Sequence, residues 1–316
     1  MIKISVITTF FNSSECLADC INSIRNQEFE DYEHILVNDG SNDDSVRIIE
    51  RCMHSKLVVL NPGRIGRVKA LNYGVQNARG EYISILDADD IALKERLEIQ
   101  NNILDANKSI TLTYSDVIFF NKYGKDLNVS NYPIEHDKIL EYLKELNPFP
   151  ASSTMYRKSD FEKVDGYNLR CEKSIDFNLY LSLISAGGEF VGCKKTLGKI
   201  RVDENSWGKD DHKSLQFRYG ILGLINYYLK VNNHEGLFAK SDKEWIILEE
   251  KFNSWFDIKM FHKRNMSKQH LKKSLQKFRN KELIPAINDL FISLSYGVRP
   301  LFYKGIGFKY DRDISE

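Results

Sequence analysis

Residues 80–90 read Gly80-Glu81-Tyr82-Ile83-Ser84-Ile85-Leu86-Asp87-Ala88-Asp89-Asp90, a mainly apolar run that ends in acidic residues. An apolar run of this length after a glycine is typical of a buried strand. Open α/β sheets bind their ligands just beyond the carboxyl ends of the strands. The acidic side chains that follow Leu86 are therefore predicted to lie in a ligand-binding loop.

Short apolar runs alternate with helix-like segments on both sides of this motif. The predicted strands are Ile4–Phe10, His34–Val37, Leu57–Leu60, Tyr82–Leu86 and Thr111–Val117. Helices are predicted where apolar residues recur at helical spacing or helix formers cluster, around Leu17–Ile24, Val68–Val75, Lys94–Asn107 and Asp176–Ala186. This alternation predicts an α/β fold, Rossmann-like, with a mostly parallel central sheet.

Composition and cysteine spacing limit the classes of protein that fit. The 316 residues carry a net charge of +1 and are 42% hydrophobic, which indicates a globular chain and gives no sign of a nucleic-acid partner. Cys16, Cys20, Cys52, Cys171 and Cys193 show neither a paired framework nor Cys-x-x-Cys spacing, so free thiols of a reducing compartment are predicted. Because no cleavage site and no apolar stretch of spanning length is present, we predict a cytoplasmic protein.

The acidic residues after two of the strands suggest a site for a metal and a nucleotide. Asp87 and Asp89 offer hard oxygen donors for Mg²⁺ or Mn²⁺, and such an ion can offset charge on a diphosphate. An Asp-x-Asp tripeptide elsewhere is most often a solvated turn or a helix cap, but its place directly after a strand favours the metal. Asp39 ends the second strand in Val37–Ser41, either as a turn residue or as a hydrogen-bond acceptor for a nucleoside.

Taken together, these motifs resemble those of the family-2 glycosyltransferases, whose donor domain has the GT-A nucleotide-sugar-binding fold. The resemblance rests on four ordered segments and a later one, Ile4–Asn12, Val37–Ser41, Gly66–Gly74, Gly80–Asp90 and Ser153–Tyr167. It covers about residues 2 to 207. It implies inverting transfer of a sugar from a nucleoside diphosphate donor, a UDP-sugar, to a hydroxyl of a glycan or lipid-linked glycan. The implied setting is the assembly of bacterial capsule, lipopolysaccharide or another surface glycan.

The resemblance also implies roles for individual residues. Thr9, Phe11 and Asp39 would contact the nucleoside, Asp87 the ribose or the metal, and Asp89 the Mn²⁺ or Mg²⁺ ion. Asp176 would accept the proton of the acceptor hydroxyl as general base.

Positive charge near Gly66 gives further candidates for the diphosphate. Arg64 and Lys69 are assigned to the donor site, and Arg67 lies between them in the sequence. A solvated surface position remains the alternative for each of the three.

Two departures from the family pattern leave a second function open. Ile175 precedes Asp176 where the family usually has an acidic residue, which makes Glu172 a rival base, and Asp203 follows Arg201-Val202 where the family has histidine. An inactive nucleotide-sugar-binding or scaffold protein of the same fold is therefore the alternative. Nucleotide hydrolases and dinucleotide oxidoreductases are excluded, because the chain has neither a Gly-x-x-x-x-Gly-Lys-[Ser/Thr] loop nor a Gly-x-Gly-x-x-Gly motif.

The charge distribution divides the chain in two. Residues 215–316 hold 18 basic and 11 acidic residues, whereas residues 1–214 hold 27 and 33. We predict a catalytic domain over 1–214, with a donor half at about 1–117, an acceptor half at about 118–214 and a possible subdomain boundary at Asn147–Pro150. A helical, basic extension follows over 215–316. Its segment Lys259–Lys281 has nine basic residues and no acidic one, so it either binds an anionic inner membrane surface or packs on the domain.

Overall fold

The computed structural model describes residues 2–143, 147, 149–202 and 210–262. One nine-stranded sheet organises this part of the chain. Its strands are β1 (Ile4–Phe10), β2 (Tyr32–Asn38), β3 (Leu57–Leu60), β4 (Tyr82–Ile85), β5 (Ile91–Ala92), β6 (Ile110–Asn121), β7 (Asp126–Val129), β8 (Thr154–Arg157) and β9 (Glu189–Val202). The order across the sheet is β3-β2-β1-β4-β8-β6-β9-β5, with β7 beside β6.

The sheet is mixed, although most of its strands point the same way. β1 to β4 pair in parallel, and β6 pairs in parallel with β9. β8 lies antiparallel between β4 and β6, while β5 and β7 run antiparallel to β9 and β6. The predicted α/β class is confirmed. Because β8 is inserted between β4 and β6, the predicted donor and acceptor halves share a single sheet.

Helices flank the sheet in chain order. They are α1 (Leu17–Arg25), α2 (Ser45–Cys52), α3 (Arg67–Gln76), α4 (Arg96–Ala106), α5 (His136–Leu143), α6 (Lys158–Lys163), α7 (Ile175–Ser185), α8 (Asp210–Val231) and α9 (Asp242–His262). Short 3₁₀ turns occur at Ala151–Ser153 and Leu237–Ala239. All five cysteines are free thiols, as predicted.

The close approach of α3 to the sheet depends on a glycine. Ala70, Leu71 and Val75 are buried on the inner face of this helix, as their spacing predicts. A Cβ added at Gly74 would lie 2.7 Å from Cγ2 of Ile7 in β1. Only glycine therefore lets α3 rest directly on β1, and this contact fixes where the helix begins relative to the strand ends.

The described part of the C-terminal region packs on the catalytic domain. Tyr219 and Leu222 of α8 and Trp245 of α9 belong to the same buried cluster as Ile7 of β1. The division at residue 214 stays a prediction, and α8 begins slightly before it. No helix within the described ranges is long and apolar enough to cross a membrane. Of Lys259–Lys281, residues 263–281 lie outside the described residues, so the membrane prediction for this segment is not addressed.

Candidate active site

The loops after β1 and β2 are joined by hydrogen bonds at the carboxyl edge of the sheet. The Asn12 N–H donates to Oγ of Ser41 at 3.0 Å, and the Asn42 N–H donates to Oδ1 of Asn12 at 2.9 Å. The Ser14 N–H donates to Oδ2 of Asp43 at 3.0 Å. The polar residues that follow the two strands therefore build one rigid platform from separate parts of the sequence.

Asp39 anchors a third loop on this platform. Its Oδ1 accepts the N–H groups of Ile65 and Gly66 at 2.7 and 2.8 Å, and its Oδ2 accepts Nη1 of Arg64 at 2.8 Å. The Arg64 guanidinium carbon lies 3.6 Å from the centre of the exposed Phe11 ring. The structure thus brings together three of the predicted nucleoside and donor residues. The flat Arg64 guanidinium therefore covers one face of the Phe11 ring.

The acidic motif after β4 contains three carboxylates in different surroundings. The Asp87 N–H donates to Oγ of Ser152 at 2.9 Å, and the buried Asp90 accepts the Arg201 N–H at 2.8 Å. Burial, followed by the charges of Asp89 and Asp87, raises the pKa of Asp90 well above its usual range. Asp89 is exposed, and within the described part of the chain its carboxylate forms no ion pair. Asp89 is therefore the carboxylate free to take a ligand.

Arg96 supports this motif from the interior of the fold, a role that no sequence pattern predicted. It is fully buried, and its Nη2 donates to the carbonyl oxygens of Ile85 at 2.9 Å and Thr154 at 3.0 Å. Its Nε donates to Gln100 at 3.2 Å, and Nε2 of Gln100 donates to the carbonyl oxygen of Ser153. The end of β4 and the turn before β8 are held together through these bonds. An arginine on a predicted helix is ordinarily solvated, so no local signal could have identified it.

Arg67 connects the acidic motif with the predicted catalytic base. Its Nη2 donates to both carboxylate oxygens of Asp87, at 2.7 and 2.9 Å. The charge of Asp87 raises the pKa of Arg67, and the charges of Asp176 and Asp89 add to this effect. We call Asp87, Asp89 and Asp176 around Arg67 the acidic site. Because the Arg67 side chain is 53% exposed, a ligand at the sheet edge could reach it.

Asp176 lies in the first turn of α7 and is half-buried. Its Oδ2 accepts Nδ2 of Asn147 at 2.7 Å, and its Oδ1 accepts the Phe177 N–H at 2.9 Å. Burial raises the pKa of Asp176, while these hydrogen bonds and the charge of Arg67 oppose that shift. The rival Glu172 is exposed, and its charge acts on Tyr219 of α8. Asp176, unlike Glu172, therefore acts electrostatically on the same arginine as the acidic motif.

Asn72 fixes α3 to the chain that leads into α7. Its Nδ2 donates to the Tyr167 carbonyl oxygen at 2.8 Å, and its Oδ1 accepts the Tyr167 N–H at 3.0 Å. Gly166 has a φ of +69°, and a Cβ there would lie 2.8 Å from Oδ1 of Asn72. The asparagine and glycine of these two motifs are thus explained by one clamp between distant segments.

The remaining predicted site residues lie in more varied positions. Thr9 is half-buried at the end of β1, beside Val37 of β2. Lys69 is exposed on α3 and makes no ion pair among the described residues. Two residues separate Lys69 from Arg67, which turns its side chain about 200° around the helix axis. The structure therefore places Arg67, and not Lys69, at the acidic site. Asp203 lies outside the described residues.

The donor set at the acidic motif suits a hard divalent cation that shares its ligands with a substrate. In residues 2–143, 147, 149–202 and 210–262, no group of three His, Cys, Asp or Glu side chains is arranged to hold a metal. Mg²⁺ is commonly bound by one or two carboxylates together with substrate phosphates and water. Asp87 and Asp89 fit that arrangement.

A mixed sheet, joined loops after β1 and β2 and an acidic motif after β4, all at the carboxyl edge, are the features of the GT-A glycosyltransferase class. Residues 5–165 match the sequence model of the family described as "Glycosyl transferase family 2". The chain belongs to this family. The predicted recognition is thereby confirmed.

Curated relatives and solved structures agree with this assignment. An uncharacterized glycosyltransferase of Methanocaldococcus jannaschii is 31% identical over 207 residues, covering 63% of this chain and 70% of the relative. The amylovoran biosynthesis glycosyltransferase AmsE of Erwinia amylovora is 27% identical over 210 residues, covering 65% and 78%.

Two solved structures show the same fold. S. aureus TarS 1-349 in complex with UDP-GlcNAc matches with a TM-score of 0.62 and 17% identity, over 99% of this chain and 95% of that chain. The mannosyltransferase PcManGT from Pyrobaculum calidifontis, in complex with GDP-Man and Mn²⁺, matches with a TM-score of 0.56 and 15% identity, over 95% and 77%. The predicted GT-A fold is confirmed by this likeness.

Proposed function

We propose that this chain is a metal-dependent, inverting glycosyltransferase that moves a sugar from a nucleoside diphosphate donor to a hydroxyl of a glycan acceptor. The observation that carries the proposal is the acidic site, where Nη2 of Arg67 bonds to both oxygens of Asp87 at the edge of the sheet and the charge of Asp176 also raises the pKa of Arg67. A sugar held there would have its diphosphate near Asp87 and Asp89 and its other side toward Asp176. Inversion requires that the acceptor attack from the face opposite the leaving group.

The metal part of the proposal rests on Asp89. This carboxylate is exposed and unpaired among the described residues, whereas Asp90 is buried and bonded to the Arg201 N–H. Asp89 would hold Mn²⁺ or Mg²⁺ with help from Asp87, and the ion when bound would offset the charge that develops on the diphosphate. The Mn²⁺ in the PcManGT complex supports this choice of cofactor.

The base is proposed to be Asp176. An acceptor hydroxyl needs a carboxylate within hydrogen-bond reach to take its proton as the oxygen attacks. Asp176 stands at the start of α7, and Asn147 orients its carboxylate at 2.7 Å. Glu172 remains the rival, and its exposed position near α8 makes it the weaker candidate.

The donor base and the biological setting are proposed from the relatives. TarS was solved with UDP-GlcNAc, which supports a UDP-sugar here, while PcManGT was solved with GDP-Man. AmsE is named for amylovoran biosynthesis, which supports a surface-glycan pathway with a glycan or lipid-linked acceptor. We further propose a cytoplasmic enzyme that works at the inner face of the plasma membrane.

The test is to measure donor binding and sugar transfer for the parent and four variants. UDP- and GDP-sugars are first screened by thermal shift with Mn²⁺ or with a chelator, because a bound ligand stabilises the native state. Asp89→Asn should lose metal-dependent binding and nearly all transfer. Asp176→Asn should still bind donor but lose roughly 10² to 10⁴ in rate. Glu172→Gln should remain close to the parent, and Glu98→Gln, an exposed carboxylate on α4, is the matched control.

Three outcomes would contradict parts of the proposal. Normal transfer by Asp89→Asn in chelator would remove the metal assignment, and near-normal transfer by Asp176→Asn would remove the base. Donor binding with no turnover on any acceptor would favour the inactive nucleotide-sugar-binding protein. The anomeric coupling constant of the product, measured by NMR, decides between inversion and retention.

A further inference from the structure

Arg67 lies at the centre of the site and already satisfies both oxygens of the carboxylate that a metal would need. Its Nη2 bonds to Oδ1 and Oδ2 of Asp87 at 2.7 and 2.9 Å. Arg201 is directed elsewhere, because its Nε donates to the main-chain oxygen of Asp89 at 3.2 Å. Among the described residues, Arg67 is therefore the cation that directly pairs with the acidic site.

The segment before Arg67 is fixed, but its side chain is not enclosed. The N–H groups of Ile65 and Gly66 are bonded to the buried Asp39, which holds the backbone just before α3 in place. The Arg67 side chain is 53% exposed. It can therefore change rotamer without moving the loop. A guanidinium can bind a carboxylate or a phosphate through the same pair of parallel hydrogen bonds, so both partners suit it.

We propose that Arg67 exchanges partners during donor binding, leaving Asp87 for the donor diphosphate when the metal takes its place on Asp87. This inference rests on the proposed function and names a residue that acts between the metal and the nucleotide. Because Nη2 of Arg67 already contacts both oxygens of Asp87, a metal that binds the same carboxylate competes with Arg67 for those oxygens and is repelled by its charge. A metal entering alone weakens the pair between Arg67 and Asp87 and gives Arg67 no new anion, whereas a metal entering with a diphosphate supplies Arg67 with a new partner.

The exchange makes metal and diphosphate binding interdependent. Coupling between two ligands is reciprocal, so the factor by which the metal tightens the diphosphate equals the factor by which the diphosphate tightens the metal. Arg67 increases this factor twice, since it opposes the metal alone and favours the pair. Without Arg67, the acidic site should bind the metal more readily by itself and gain less from the diphosphate.

The test is isothermal titration calorimetry on the full chain, with MnCl₂ alone, UDP alone in chelator, and UDP in saturating Mn²⁺. Inorganic diphosphate is titrated beside UDP, because it reads the diphosphate contact without a nucleobase. The variants are Arg67→Met, which removes the charge, and Arg67→Lys, which keeps it without the paired geometry. Arg47→Met is the matched control, since Arg47 of α2 likewise forms an exposed ion pair, with Asp44 just before that helix, and not with a carboxylate of the acidic site.

For Arg67→Met we expect MnCl₂ alone to bind roughly fivefold more tightly, as an exposed ion pair of this kind opposes it only modestly. We expect UDP and diphosphate in Mn²⁺ to bind about tenfold more weakly, since a charge-assisted pair is lost. The binding constants of Arg67→Lys should lie between those of the parent and of Arg67→Met, and those of Arg47→Met should equal the parent's.

Two results would overturn the exchange while the proposed function stands. Unchanged constants in Arg67→Met would show that Arg67 contacts neither ligand. Equal weakening of Mn²⁺ binding alone and of UDP binding in Mn²⁺ would show that Arg67 only holds Asp87 in place. A melting curve shows whether Arg67→Met is folded. If it is not, the binding constants of Arg67→Lys are used instead. If the parent binds neither UDP nor diphosphate with Mn²⁺, the proposed function fails and the inference fails with it.

Discussion

The hydrogen bond between Ser174 and α8 should hold the proposed base, Asp176, in position, and two substitutions at Ser174 separate this role from stability. Ser174 immediately precedes α7 and has a φ of 51° and a ψ of 37°, in the left-handed region. Its Oγ donates to the Gln216 carbonyl oxygen of α8 at 2.6 Å. Asp176 follows two residues later. A displacement at Ser174 is therefore transmitted directly to the first turn that carries the base.

The expected stabilities follow from two opposing contributions. Ser174→Ala loses the hydrogen bond, which contributes about 1 kcal/mol, and keeps the left-handed backbone. Ser174→Gly loses the same bond but is relieved of the left-handed cost of about 1–2 kcal/mol. The greater conformational entropy of glycine in the unfolded chain lowers the stability of Ser174→Gly by about 0.5–1 kcal/mol. We expect Ser174→Ala to be about 1 kcal/mol less stable than the parent, and Ser174→Gly to lie within about 0.5 kcal/mol of it.

The assay combines urea unfolding with sugar transfer and donor binding. Both variants lose this hydrogen bond, so both should transfer at least about tenfold more slowly, because small displacements of a catalytic group are costly. Donor affinity should stay near that of the parent, since Ser174 lies on the acceptor side. Full transfer by Ser174→Gly would refute the hydrogen bond as a positioning contact. A Ser174→Gly protein less stable than Ser174→Ala would refute the reasoning about the left-handed backbone.

Further predictions concern pH, a clamp and the basic segment. Because burial raises the pKa of Asp176, transfer should fall as the pH drops through that raised value, and a pH–rate profile should lose this limb in Asp176→Asn. Burial lowers the pKa of His34 to about 3, from 6.5, so only the unfolded chain takes up this proton between those values. His34 should therefore contribute a loss of about 2 kcal/mol in the free energy of unfolding from pH 6.5 to 4.5, measured by urea titration, and His34→Asn should lose less over the same range. Asn72→Ala removes two hydrogen bonds and should cost about 2 kcal/mol in the same measurement, with slower transfer. Co-sedimentation with vesicles should show binding of the full chain that rises with anionic lipid and falls with salt if 259–281 meets a membrane.

The donor side of the fold could be predicted from sequence because its signals are local. β1 and β3 have the predicted bounds, Ile4–Phe10 and Leu57–Leu60, since short runs rich in β-branched and apolar residues mark strands. β9, at Glu189–Val202, was missed because much of it is only partly buried and it contains two adjacent lysines and two glycines. Its place is set by pairing with the distant β6, which no local pattern reveals.

The short strand β8 was missed for a different reason. Its residues Thr154–Arg157 are all buried in the middle of the sheet, yet the strand has only four residues and ends in an arginine. Arg157 is buried because its guanidinium donates to carbonyl oxygens, among them those of Ile110 at 2.8 Å and Asn107 at 3.1 Å. Such acceptors come from tertiary structure, so a charged residue in a central strand contradicts the local signal.

The candidate site was predictable in its members and not in their pairings. The motifs directed attention to Asp39, Asp87 and Asp176, but the choice among the three basic residues near Gly66 depends on how α3 is rotated. Gly74 sets that rotation by its contact with Ile7, and Arg67 then faces Asp87 while Lys69 faces away. From the sequence alone the three basic residues are equivalent, because the rotation of a helix relative to a strand is a property of packing.

The same geometry divides the motif residues into those that build the site and those left free to bind. Asp39, Asn72 and Asp90 accept hydrogen bonds from main-chain amides of this chain, so these side chains already hold neighbouring segments in place. Phe11 and Asp89 are exposed. A buried carboxylate with its partners in place resists replacement by a ligand, since any exchange must first break charge-assisted bonds in a low dielectric. The residues that change partners during a reaction must therefore come from the exposed group. Arg67 belongs to both groups, because its side chain is exposed and is already paired with Asp87.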